Sequence, residues 1–200
     1  MPEGKVHLEL RTFLYALLKY AFGAEACIGS EQFVYWNARD PRRKLAPDAF
    51  VRLGVPDATF GAWKTWERGT PELAVEIVSP SEDEWLDWEE KFERYHEAGV
   101  QELVRFDPEA PSGSRLRVWD RLEEDLVERE VTGDTTPCRT LGFHWVVAPV
   151  PGHAVGLRLA RDREGKDLVL AEVEAVDRAR QVAEQRVREL EDELRRRDGA

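Results

Sequence analysis

Cysteine and histidine are scarce in this chain, two and four respectively among 200 residues, and neither type is spaced for chemistry of its own. Cys27 and Cys138 stand in dissimilar contexts, which reads as two buried thiols rather than a bridge. His7, His96, His144 and His153 form no HxxxH pattern and the cysteines no CxxC pattern, which argues against a zinc site. Any metal site here must be built from oxygens. Basic residues are also in deficit, with 29 Lys and Arg against 40 Asp and Glu and a net charge of -11. Nucleic-acid binding is driven by neutralising phosphates, so the chain as a whole carries the wrong sign for it. A nucleic-acid reading must rest on a local cluster such as "RDPRRK" (Arg39 to Lys44) together with metal ions. Long apolar runs are missing as well. The stretch from Leu8 to Phe22 is broken by Glu9, Arg11 and Lys19, and the N-terminus lacks the basic, apolar and small-residue succession of a signal peptide. No membrane association is expected, and a cytosolic protein is.

What is present is an ordinary globular composition, 42% hydrophobic and 34% charged, with an unusual seven tryptophans. A chain of this length buries a real core and is expected to form one domain with an appendage. Leu10, Phe13, Leu14, Leu17, Leu18 and Ala21 recur at helical spacing, which predicts an amphipathic helix over roughly residues 5 to 22, stopped by Gly23. "QFVYWN" (Gln32 to Asn37) and "DAFVRLG" (Asp48 to Gly54) are β-branched and aromatic, and the polar linker between them predicts a hairpin-like pair of strands. Trp63 and Trp66 in the following connection either pad the core or contact a ligand.

"ELAVEIVS" (Glu72 to Ser79) is a short apolar run bounded by Pro71 and Pro80, which predicts a central strand. With a period of two, Leu73, Val75 and Ile77 face one side while Ala74, Glu76 and Val78 face the other. Glu76 is thus a carboxylate among small apolar neighbours, and burying it unpaired would cost several kcal/mol. Beyond it, Ser79 or Ser81 with Glu82 or Glu84 can form a capping box for a helix ended by Gly99. Trp85, Trp88, Phe92 and Tyr95 make its buried stripe, and Lys91 lies about 80° from the centre of that stripe, where a long side chain can reach inward. "QELVRFD" (Gln101 to Asp107) predicts the next strand and completes a βαβ-like unit. Short alternating strands follow from Arg115 to Glu172, and they are expected to extend or flank the sheet. The tail then changes character: Val173, Val176, Arg180, Ala183, Val187, Leu190 and Leu194 alternate at spacings of three and four. That is a heptad seam, expected either to dimerise as a coiled coil or to run as a solvated helix. The expected division is a body over 1–171 and a heptad helix over 172–200.

Asp48, Glu76 and Lys91 are the candidate site. Two carboxylates from neighbouring strands make a hard-cation site of the kind Mg²⁺ prefers, with waters and room for phosphate oxygens. An ammonium beside them can orient a water or stabilise charge on a phosphoryl group. Each residue also has a plainer reading: Asp48 shaping a turn after Pro47, Glu76 paired with an arginine, Lys91 paired with Asp87 on its own helix.

In combination, "PD" at Pro47-Asp48, "VEIVSPS", "KFERYHEAGV" and "FDP" resemble the Uma-two family of endonucleases, part of the restriction-endonuclease-like PD-(D/E)xK superfamily. The resemblance spans roughly Val6 to Pro108, and more loosely extends to about Glu172. It implies an α+β fold, a mixed sheet flanked by helices, here with extra strands and the C-terminal coiled-coil-like helix. It further implies a Mg²⁺-dependent endonuclease, with Mn²⁺ as substitute, in which Asp48 and Glu76 ligate the metal and Lys91 is the catalytic ammonium. The superfamily's lysine follows the second acid by two positions, which is Val78 here; the Uma-two pattern moves it to the helix. Glu9 is an additional candidate acid. Two features depart from the family: "ELVRFDP" replaces a more aromatic strand, and the leading hairpin is lacking. DNA is the expected partner, with a second copy of the chain as another. An alternative reading keeps the nuclease-like body as a silent scaffold whose tail recruits partners, and this explains the acidity better.

Overall fold

The computed structural model describes residues 4–79 and 87–198. In chain order the elements are α1 (Lys5–Phe22), β1 (Ala26–Gly29), β2 (Val34–Tyr35), β3 (Lys44–Leu45), β4 (Ala49–Leu53), β5 (Trp63–Lys64), α2 (Thr65–Arg68), β6 (Leu73–Ile77), α3 (Trp88–Ala98) and β7 (Glu102–Phe106). They continue with β8 (Leu116–Leu122), β9 (Asp125–Glu128), β10 (Thr135–Cys138), β11 (Phe143–Val150), β12 (His153–Ala160) and α4 (Glu172–Asp198). The fold is α+β, a mixed sheet flanked by helices.

The main sheet has the order β1-β4-β6-β7-β8-β9. β6 and β7 are parallel and joined by α3, while the other neighbours in this sheet are antiparallel. The alternation in β6 decides how the layers pack. Leu73, Val75 and Ile77 point into a core shared with Leu10, Leu14, Leu17 and Leu18 of α1 and with Trp145, Leu157 and Leu159 of the β10-β11-β12 sheet. Ala74 points the other way, into the cluster of Tyr95 and Ala98 on α3 with Leu103 and Trp119. Glu76 shares the face of Ala74, toward α3.

Several expectations need correction. The segments around Gln32–Asn37 and Asp48–Gly54 do not pair with each other. β2 joins β3 and β5 in a small sheet of its own, and β4 instead pairs with β1 and β6. β1 was hidden because "ACIG" is short and follows the helix with almost no linker. Its Gly29 lies opposite Phe50, where a Cβ would overlap the phenyl ring, so glycine is required there. α3 begins at Trp88 with Asp87 as cap, its carboxylate accepting the Glu90 N–H at 2.8 Å. The expected capping residues Ser81, Glu82 and Glu84, and Trp85 of the stripe, lie outside the described residues. Gly99 does end the helix, at φ 82°, a left-handed conformation that a residue with a Cβ rarely adopts.

α4 runs for 27 residues, and Val173, Val176, Val187, Leu190 and Leu194 are all exposed along it. Its start is fastened by Arg158 of β12, whose guanidinium donates to both carboxylate oxygens of Glu174 at 2.8 and 2.7 Å. Among the described residues no helix is long and apolar enough to cross a membrane.

Candidate active site

Asp48 stands immediately before β4, and the antiparallel register that sets Ala49 opposite Val75 brings Asp48 across from Glu76. Both are inside the protein, with 5% and 7% of their surface exposed, so each charge must be met locally. The Asp48 carboxylate accepts the Ile77 N–H at 2.6 Å through Oδ2. Its Oδ1 lies 3.1 Å from His7 Nε2 and 4.0 Å from Arg11 Nε. His7 and Arg11 are one turn apart on α1 and therefore reach the same place.

Glu76 is met from α3. Lys91 Nζ donates to its Oε2 at 3.0 Å, and the buried Tyr95 hydroxyl donates to its Oε1. Lys91 and Tyr95 are again one helical turn apart. Burial pushes the Glu76 carboxyl up to about 7; the Lys91 ammonium opposes that rise and the neighbouring Asp48 charge adds to it. Glu76 thus gives up its proton less readily than a free carboxyl even with a lysine at hand.

That is the condition a divalent cation relieves. Two carboxylates on adjacent strands match the protein share of a Mg²⁺ shell, the rest being water and substrate oxygens. Among the described residues no group of three or more His, Cys, Asp or Glu suited to a metal occurs, so the described ligands for a cation here are the two carboxylates. The residues present fit such an ion.

The three residues singled out from sequence, Asp48, Glu76 and Lys91, do converge. Glu9 does not. Two positions along α1 rotate it about 200° from His7, and its carboxylate instead meets Lys5 at 3.6 Å and His153 at 2.7 Å on the exposed side. The plainer pairing of Lys91 with Asp87 is also not what is observed, since Asp87 caps the helix. Sequence reasoning missed His7, Arg11 and Tyr95. The available signal was spacing: His7 and Arg11 are polar residues four apart beside the apolar stripe of α1, and Tyr95 follows Lys91 by four.

The sequence profile of the Uma2 family, described as "Putative restriction endonuclease", matches residues 1–150. The chain belongs to the Uma2 family. It is thereby placed among nuclease-type proteins that generally use divalent metals. No protein with a curated description matches it. Among solved structures, a crystal structure described as a "putative nuclease belonging to DUF820" from Anabaena variabilis ATCC 29413 is similar, with 15% identity over 71% of this chain and 76% of that one and a TM-score of 0.49.

Proposed function

We propose that this Uma2 protein is a divalent-cation-dependent endonuclease that hydrolyses phosphodiester bonds in DNA, with Asp48 and Glu76 as the metal-holding carboxylates and Lys91 as the catalytic ammonium. The observation that carries the reading is the convergence of Asp48 from just before β4 and Glu76 from β6 in a buried acidic pair, with Lys91 of α3 on Glu76. Mg²⁺, or Mn²⁺ in its place, would supply an activated water and neutralise charge on the phosphate oxygens.

The remaining parts of the chemistry belong to the chain. Ile77 N–H fixes one oxygen of Asp48, with His7 Nε2 3.1 Å from the other, and Tyr95 fixes one oxygen of Glu76, so both carboxylates are held in orientation. The Lys91 ammonium, on the other Glu76 oxygen, is placed to orient a water or to meet charge that grows on the phosphoryl oxygens during displacement. With only 5% and 7% of their surface exposed, Asp48 and Glu76 feel these interactions more strongly than they would in water.

Incubating plasmid DNA with the protein in Mg²⁺, in Mn²⁺ and in chelator tests the reading. Cleavage that requires the metal and disappears in Glu76→Ala supports it; no cleavage of any nucleic acid under any metal condition overturns it. A scaffold function is the second reading, favoured by the net charge of -11. It predicts that Asp48→Ala/Glu76→Ala changes neither metal binding nor the protein's interactions.

A further inference from the structure

The α3 side of the main sheet carries a charged row in strict register. Glu76 on β6 lies opposite Arg105 on β7, and Arg105 lies opposite Arg117 on β8. With strands about 4.8 Å apart, Arg117 stands about 10 Å from Glu76 across the sheet. Both guanidiniums lie on indole rings: that of Arg105 is 4.5 Å from the centroid of Trp88, and that of Arg117 is 4.8 Å from Trp119. The two tryptophan rings are themselves 5.3 Å apart, with Phe92 5.7 Å from Trp119, so the pair rests on one aromatic floor.

Like charges directly opposite each other on a sheet are destabilising, and here they are arginines in an acidic protein. Glu128 offsets one of them, accepting from Arg117 Nε and Nη2 at 2.7 Å each. Arg105 has no carboxylate within ion-pair distance among the described residues, and its recorded contact is the Trp88 ring. Among the described residues Arg105 is therefore a cation without an ion-pair partner, one strand away from the Asp48–Glu76 pair. A guanidinium held over a ring is pre-organised, and its N–H groups can meet a planar or tetrahedral anion.

We propose that Arg105 and Arg117 form a phosphate track that holds a nucleic-acid strand as it leaves the Asp48–Glu76 site and crosses β7 and β8. This deepens the nuclease reading and rests on it. At the Arg117 end, Glu89 and Glu93 of α3 line a groove together with Arg117 and Trp119, and repel phosphate from the helix side. The strand is confined to the sheet side. Glu128 competes with phosphate for Arg117 and so limits affinity at that end of the track.

The test is fluorescence anisotropy of a labelled oligodeoxynucleotide, single-stranded and duplex, with the full-length protein in chelator and in Ca²⁺ over a series of salt concentrations. Arg105→Gln and Arg117→Gln are each expected to bind about 5- to 10-fold more weakly and to reduce the salt slope by about 0.9, the loss of one phosphate contact. Glu128→Gln binds more tightly, and Arg188→Gln on α4 binds as wild type. Arg105→Lys, which keeps the charge, recovers the slope; if Lys fails where Gln failed, Arg105 acts through packing and the track is overturned. Wild-type binding and slope in both arginine-to-glutamine variants also overturn the track, while leaving metal-dependent cleavage standing. If the wild type binds neither DNA form in either condition and cleaves none, the track and the nuclease reading fall together.

Discussion

Lys91 reaches Glu76 from the helix and not from the strand: its Nζ lies 3.0 Å from Glu76 Oε2, while Val78, two residues along from Glu76, bonds by its backbone N–H to Phe106 O at 2.8 Å. A lysine on a helix keeps its own backbone out of the sheet, so its contribution can be removed with little effect on β6. Lys91→Ala is expected to lower the cleavage rate by about 100-fold or more, while Mn²⁺ affinity stays the same or rises, because a cation no longer competes for Glu76. Loss of both together would make Lys91 a structural partner of the carboxylate.

Tyr95 sets the other Glu76 oxygen. Tyr95→Phe keeps the ring in the core beside Leu103 and removes only the hydroxyl, so it should cost about 1 kcal/mol in denaturant unfolding. Mn²⁺ binding should weaken by about 10-fold, as for other residues that orient a ligand from behind. An unchanged calorimetric affinity would show that Glu76 needs no such support.

The Glu76 carboxyl, pushed up to about 7, makes the stability of the metal-free protein depend on pH. Because the folded state holds this proton more tightly than the unfolded chain, stability is greatest below about pH 4.5 for this group and falls as pH rises toward 7. The loss is on the order of a few kcal/mol. Urea unfolding across this range should show that fall in wild type and a flatter profile in Glu76→Gln; parallel profiles would contradict it.

Glu102 and Asp120, both buried on the main sheet, share Arg129, which donates to Asp120 Oδ2 at 2.8 Å and lies 3.3 Å from Glu102 Oε1. Glu102 also accepts the Thr140 N–H at 2.8 Å, so the cluster fastens the β10–β11 connection to the body. Arg129→Ala leaves the buried Glu102 without its cation, while Asp120 keeps Arg139 at 2.9 Å, and should cost about 3 kcal/mol. Surviving folded protein should still bind Mn²⁺, since the cluster is remote from Asp48.

The exposed seam of α4 is expected to pair with a second copy of the chain. Sedimentation of the full-length protein should give a dimer, and Val187→Glu/Leu190→Glu a monomer of the same fold. A monomeric wild type would assign the seam to solvent, consistent with Arg180 at an inner position pairing with Asp177 and Glu184 of its own helix.

The elements that place the site were legible where periodicity and boundaries agreed. α1 showed in its leucine spacing, β6 in an apolar run between prolines, and α3 in its aromatic stripe and Gly99. Glu76 stood out as an acid on an apolar strand, while the joint assignment of Asp48, Glu76 and Lys91 came from the resemblance to the Uma-two pattern. What was not legible depends on pairing that no local pattern encodes. β4 bonds to β1 and β6 rather than to β2, the partner expected from sequence, and its Val51 and Ala49 belong to the α1-facing core. His7 and Arg11 looked like ordinary polar residues until the register placed Asp48 at the end of α1. The arginine row was invisible for the same reason: Arg105 and Arg117 become neighbours only through the β7–β8 register.

The central claim is that Asp48 and Glu76 jointly hold a divalent cation, and calorimetric titration of Mn²⁺ into the metal-free protein tests it most directly. The expected result is binding at one site in wild type that is lost in both Asp48→Asn and Glu76→Gln, with each variant still folded by circular dichroism. Binding of equal strength in wild type and in the Asp48→Asn/Glu76→Gln double variant, or none in wild type, would contradict it.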